Sequence, residues 1–94
     1  MNPQYSIRTG QPVTMPSWII QDLLPVDGVH GRPGNNLSSV KHIVVHYVGN
    51  TGSTAKDNRD YFAKYQNRNV SSHFVVGLQG EIIQCVPINE VSHA

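Results

Sequence analysis

Between Lys41 and Val48 the sequence KHIVVHYV has no polar face, because Ile43, Val44, Val45, Tyr47 and Val48 would occupy both sides of an extended segment. These β-branched and aromatic types favour a pleated, enclosed strand, and the pattern predicts a buried one over 41–48. Next, Ser53-Thr54-Ala55-Lys56-Asp57 carries an N-cap candidate with an acidic residue in the first turn, the start of a helix. Asn58, Tyr61, Phe62 and Tyr65 follow at i, i+3, i+4 and i+7, so the helix should run to about Asn67 with this stripe packed on the core. His73 to Val76 and Glu81 to Val86 read as strands. The glycine-rich turn Gly77 to Gly80 between them predicts a β-hairpin, and Pro87 ends it.

Residues 1–39 follow a different rule. Prolines at 3, 12, 16, 25 and 33 forbid long helices or central strands. Only Ser17 to Leu24 can make a short helical turn or an irregular apolar plug, anchored by Trp18, Ile19, Leu23 and Leu24. Disordered tails seldom carry so many large apolar residues, so 1–39 reads as an ordered arm packed on the domain formed by 40–94. Arm, strand, helix and hairpin make an α/β unit whose sheet is covered on one face, leaving the other face of a doubly apolar strand bare. The expectation is an incomplete domain, its missing layer supplied by further residues or by self-association through the sheet.

Size and charge narrow the partners. Ninety-four residues allow one small domain. Seven Lys and Arg against six Asp and Glu, scattered along the chain, make no basic stripe, so neither nucleic acid nor an anionic membrane is expected as a partner. No apolar run approaches a membrane span, and Met1 to Gly10 lacks the pattern of a secretory signal. Synthesis in the cytoplasm is the expectation. Cys85 is the sole cysteine, which excludes an internal disulfide and a cysteine-rich zinc site; in EIIQCVP it reads as a small buried hydrophobe.

His46 stands out within its apolar run. A buried imidazole without a partner is costly, so His46 is either a satisfied core histidine or a ligand at the strand's end, beside the loop Gly49-Asn50-Thr51-Gly52. The residues alone leave both readings open.

The stretch from about Lys41 to Ala94 closely resembles the type 2 N-acetylmuramoyl-L-alanine amidases, which include phage endolysins, autolysins and peptidoglycan recognition proteins. The resemblance rests on His46-Tyr47 with the Gly-Asn loop, the helix AKDNRDYF from Ala55 to Phe62, Ser72-His73-Phe74, Gly80-Glu81-Ile82-Ile83-Gln84 and Ser92-His93-Ala94. The arm, with IIQDLLPVDGVHGRPGNNLSSVKHIVVHY, is similar to the lead-in of amidases from Gram-positive bacteria and their phages.

This resemblance implies a mixed central β-sheet flanked by helices, incomplete in this chain, and zinc-dependent hydrolysis of the amide between N-acetylmuramic acid and L-alanine in peptidoglycan. It implies Zn2+ as cofactor with His46 as the first ligand, the others being expected beyond Ala94. Zinc so held acidifies its water towards a pKa of about 7. Asn50, Thr51, Ser72, His73 and His93 become candidate substrate contacts, His93 alternatively orienting the metal site from behind. Where other members have a catalytic tyrosine this chain has Ser72, so no catalytic residue is assigned within it. Peptidoglycan is the implied partner, reached after release or export from the cell. The 94 residues are expected to be inactive alone; the alternative is a module that binds muropeptide without cleaving it.

Overall fold

A computed structural model describes residues 4–26, 31–47, 52–64 and 70–93. Its elements are strand β1 (Ile19–Gln21), helix α1 (Ala55–Lys64), and strands β2 (Phe74–Val76) and β3 (Ile82–Gln84). They form a small mixed sheet in the order β1-β3-β2, with β1 parallel and β2 antiparallel to the central β3. Ile19, Ile20 and Gln21 lie opposite Ile82, Ile83 and Gln84, and Phe74 and Val76 lie opposite Gln84 and Ile82. This is the expected mixed α/β architecture, in incomplete form.

The hairpin is where the sequence placed it. Gly77 N–H donates to the Glu81 carbonyl over 2.8 Å and Gly80 N–H to the Gly77 carbonyl over 3.1 Å, closing the turn. Gly80 holds φ at +84°, a left-handed conformation that costs glycine least. The helix starts as a capping box: Asp57 N–H donates to Thr54 Oγ1 over 3.1 Å, and Thr54 N–H donates to Asp57 Oδ2 over 2.9 Å. Glu81 Oε1 accepts from Ala55 N–H over 3.3 Å, so the hairpin also satisfies one of the helix's first donors.

Along β3 the side chains alternate between two faces. Ile83 and Cys85 join Leu24, Ala55, Val75 and Val86 in the core, with Phe62 and Ala63 of α1 packed against it. On the opposite face the fully buried Gln84 is enclosed by polar partners. Its Oε1 accepts from Gln4 Nε2 over 3.0 Å and from Gln21 Nε2 over 3.1 Å; its Nε2 donates to Gln4 Oε1 over 2.6 Å. Arg59 ties arm and helix together, donating to the carbonyls of Asp22 and Leu23, 2.9 Å each, and pairing with the Asp22 carboxylate over 3.1 Å.

Four expectations are corrected here. The strand expected over 41–48 does not form among the described residues: 41–47 are exposed and outside any strand, and Val48 lies outside them. β1 occupies the parallel edge of β3, and a strand apolar on both sides would need cover that one helix and one arm do not provide. The segment expected as a helical turn or plug is that edge strand β1; Leu24 is fully buried, but Trp18 is 66% exposed and anchors nothing. In α1 the buried side is set by Ala55, with Phe62 and Ala63, and Tyr61 is exposed; Tyr65 and the expected end at Asn67 lie outside the described residues. Finally, the bare face expected on the 41–48 strand does not arise in the sheet, because that strand does not join it; on β3, Gln4 covers Gln84.

These burials set a contrast between two neighbouring large residues. Leu24→Ala should cost about 2–5 kcal/mol of unfolding free energy, and Trp18→Ala within about 0.5 kcal/mol of nothing, both measured by urea denaturation. Equal losses would show that Trp18 is packed after all.

Candidate functional site

The segment from Pro87 to His93 lies beside the residues that precede β2 and against part of the arm. Asn36 and Glu90 form an antiparallel bridge, Leu37 N–H donates to the Asn89 carbonyl and Val91 N–H to the Asn35 carbonyl, 2.8 Å each. Ser71 N–H donates to the His93 carbonyl over 2.8 Å, and His93 N–H donates to Ser71 Oγ over 2.9 Å. Two candidate histidines, His73 and His93, are thereby brought to one place, with Ser72 between Ser71 and His73.

His73 is fixed at both ring nitrogens. Its Nε2 is 2.7 Å from the Glu90 carbonyl, which only accepts, so Nε2 carries the proton. In the neutral ring Nδ1 then accepts from Ser92 Oγ, 3.1 Å away. Glu90 is itself clamped: Arg32 Nε and Nη2 donate to its two carboxylate oxygens over 2.9 and 3.1 Å, while Arg32 Nη1 donates to the Leu24 carbonyl over 2.8 Å. Fork-to-fork pairing of this kind fixes direction as well as distance. Ser72 Oγ donates to the Phe74 carbonyl over 2.9 Å and so serves its own strand start. The ring of His93 leaves Nε2 buried and without a hydrogen-bond partner.

His46 is elsewhere, exposed on the segment 41–47, and Asn50 and Thr51 lie outside the described residues. No group of three His, Cys, Asp or Glu side chains able to hold a metal ion is gathered among the described residues. The described residues by themselves therefore do not make up a complete zinc site. Sequence reading did not single out Arg32, Glu90 or Ser71. Arg32 and Glu90 stand 58 positions apart and carry no local periodicity that would link them.

Two further groups have shifted acidity. Main-chain N–H groups, its own first and then that of Ala55, hold Glu81 below the usual carboxylate range. Burial pushes the Cys85 thiol up to about 12.

The model of the N-acetylmuramoyl-L-alanine amidase family matches residues 36–94, and the chain belongs to that family. Among curated proteins, it is 40% identical over 62 residues to N-acetylmuramoyl-L-alanine amidase BlyA of Bacillus subtilis (strain 168), covering 66% of this chain and 16% of that protein. It is 36% identical over 66 residues to N-acetylmuramoyl-L-alanine amidase CwlL of Bacillus licheniformis, covering 66% of this chain and 18% of that protein. The matched stretch thus spans less than a fifth of either relative's length. No solved structure matches the chain.

The thiol supplies a direct check on this packing. Its pKa is raised from 9.0 to about 12 on folding, so the stability it contributes is fully present below pH 9 and is lost as pH rises towards 12. At pH 8 a thiol reagent should label Cys85 only as fast as the protein unfolds, and urea should restore rapid labelling. Fast labelling of the native protein would place Cys85 at the surface.

Proposed function

We propose that this chain forms the N-terminal part of a zinc-dependent amidase domain that cleaves the bond between N-acetylmuramic acid and L-alanine in peptidoglycan. The family match over residues 36–94 carries the reading. In it, His46 supplies one zinc ligand in the complete domain, and zinc supplies Lewis acidity and a water activated near neutral pH. This chain's own contribution beyond His46 is to hold His73 in one tautomer, through the Glu90 carbonyl and Ser92, at the edge of the substrate groove. Asn50, Thr51, Ser72 and His93 are proposed groove residues, and the wall is reached after release or export.

A second reading applies to the 94 residues by themselves. In it the isolated chain binds muropeptide without cleaving it, a reading supported by the single zinc ligand, His46, that the resemblance assigns to these residues. The two readings separate in a cell-wall sedimentation assay run beside an assay for released peptide.

Dialysed against metal-free buffer, the 94-residue protein should retain much less than one zinc per chain by elemental analysis, since one histidine does not hold the ion as three ligands do. Stoichiometric zinc would mean that donors outside the assigned set complete a site. In the complete domain His46→Ala should abolish release of L-alanine-bearing peptides from purified wall, while His42→Ala should keep most of it. Activity surviving in a folded His46→Ala protein removes the ligand assignment.

A further inference from the structure

The hydrogen bonds around His73 run in one direction, from the arm to Ser92. Arg32 stands ahead of the family-matched stretch 36–94, and its largely buried guanidinium holds both Glu90 carboxylate oxygens and the Leu24 carbonyl. Beside it, the Gly31 carbonyl accepts from Ser71 Oγ, which ties the arm to the residue two before His73. Glu90, so held, presents its own carbonyl to His73 Nε2 at 2.7 Å. With the proton on Nε2, the neutral ring offers Nδ1 only as an acceptor, and the single hydroxyl proton of Ser92 is directed to it over 3.1 Å. The polarity of Ser92 is thereby settled. A serine hydroxyl has one proton and two lone pairs, so once its proton is given to His73 the oxygen only accepts. Ser92 is half-buried, and its Oγ makes no other hydrogen bond among the described residues.

Resting on the muropeptide-binding reading, we propose that Ser92 is a ligand-binding residue whose Oγ accepts a hydrogen bond from an N–H or O–H of the muropeptide. Arg32 is the positioning residue that sets this polarity, through Glu90 and His73. Peptide N–H groups and sugar hydroxyls are the two sources of such a donor. A ligand group that only accepts, such as a carboxylate, is refused at the same point, because two acceptors facing each other leave both unpaired. Ser92 therefore selects as well as binds.

The test titrates the 94-residue protein, followed by NMR, with an N-acetylmuramoyl dipeptide beginning with L-alanine. Beside it stand analogues that each lack one donor, by methylation of one amide nitrogen or replacement of one hydroxyl by hydrogen. Ser92→Ala should weaken binding of the parent probe about tenfold, the size of one hydrogen bond. One analogue should lose about as much with the unsubstituted protein and nothing further with Ser92→Ala, and its missing donor names the source as peptide or sugar. Arg32→Lys keeps the charge but not the fork; it should weaken binding likewise and speed exchange of the His73 Nε2 proton with water about tenfold. Arg59→Lys, in the clamp on Asp22 and Leu23, should lower urea stability and change neither. Undiminished binding by Ser92→Ala overturns the proposal, as do equal analogue penalties in both proteins. Ring 15N shifts that put the proton on Nδ1 overturn the polarity, and an Arg32→Lys protein no different from Arg59→Lys overturns the role of Arg32. No binding by the unsubstituted protein overturns the muropeptide reading and the proposal with it.

Discussion

A fully buried amide on the central strand governs how this chain closes. Gln84 has no exposure, and a primary amide removed from water costs free energy unless its donors and acceptor are paired. Two of the groups that pair it come from distant parts of the chain, Gln4 from the start of the described arm and Gln21 from β1, and the neighbouring Val86 carbonyl accepts over 3.2 Å. Gln4 Oε1 also accepts from Ile88 N–H over 3.0 Å, so the same network reaches the segment that holds His73. Without Gln4 the Gln84 amide would keep only Gln21 and the Val86 carbonyl as partners, and the start of the described arm would lose its link to the central strand.

A second polar clamp repeats this logic nearer the histidines. Arg32 joins the Leu24 carbonyl, at the core, to the carboxylate of Glu90, whose carbonyl orients His73. The arm therefore does two jobs through polar contacts. It encloses Gln84 on one side and fixes Glu90 on the other, while Leu24 supplies its apolar anchorage.

Elements set by local signals were legible in the sequence. Thr54 and Asp57 announced the start of α1, and the glycines from 77 to 80 announced the hairpin, because capping and turn geometry depend on residues within a few positions. The run 41–48 misled for the opposite reason. Its composition states what burial it would accept, whereas pairing depends on which segment takes the open edge of β3, and Ile19–Gln21 holds it. Of the candidate site, His73 and His93 come together and His46 stays apart from them, an outcome governed by contacts such as Arg32 with Glu90 that no local pattern encodes. Family membership was legible because it rests on the order of several short motifs and not on their three-dimensional pairing.

The parallel register of β1 on β3 has a consequence for the order of events during synthesis. Gln21 and Gln84 stand 63 positions apart, so a chain growing from its N-terminus at about 5–20 residues per second makes β1 seconds before its partner exists. Throughout that interval the arm has neither Gln84 to enclose nor Glu90 to hold. The β2–β3 hairpin, closed by a four-residue turn, forms fast once made, and it supplies the surface on which the waiting arm settles. The arm, made before the hairpin, is thus among the last parts of this stretch to find its place.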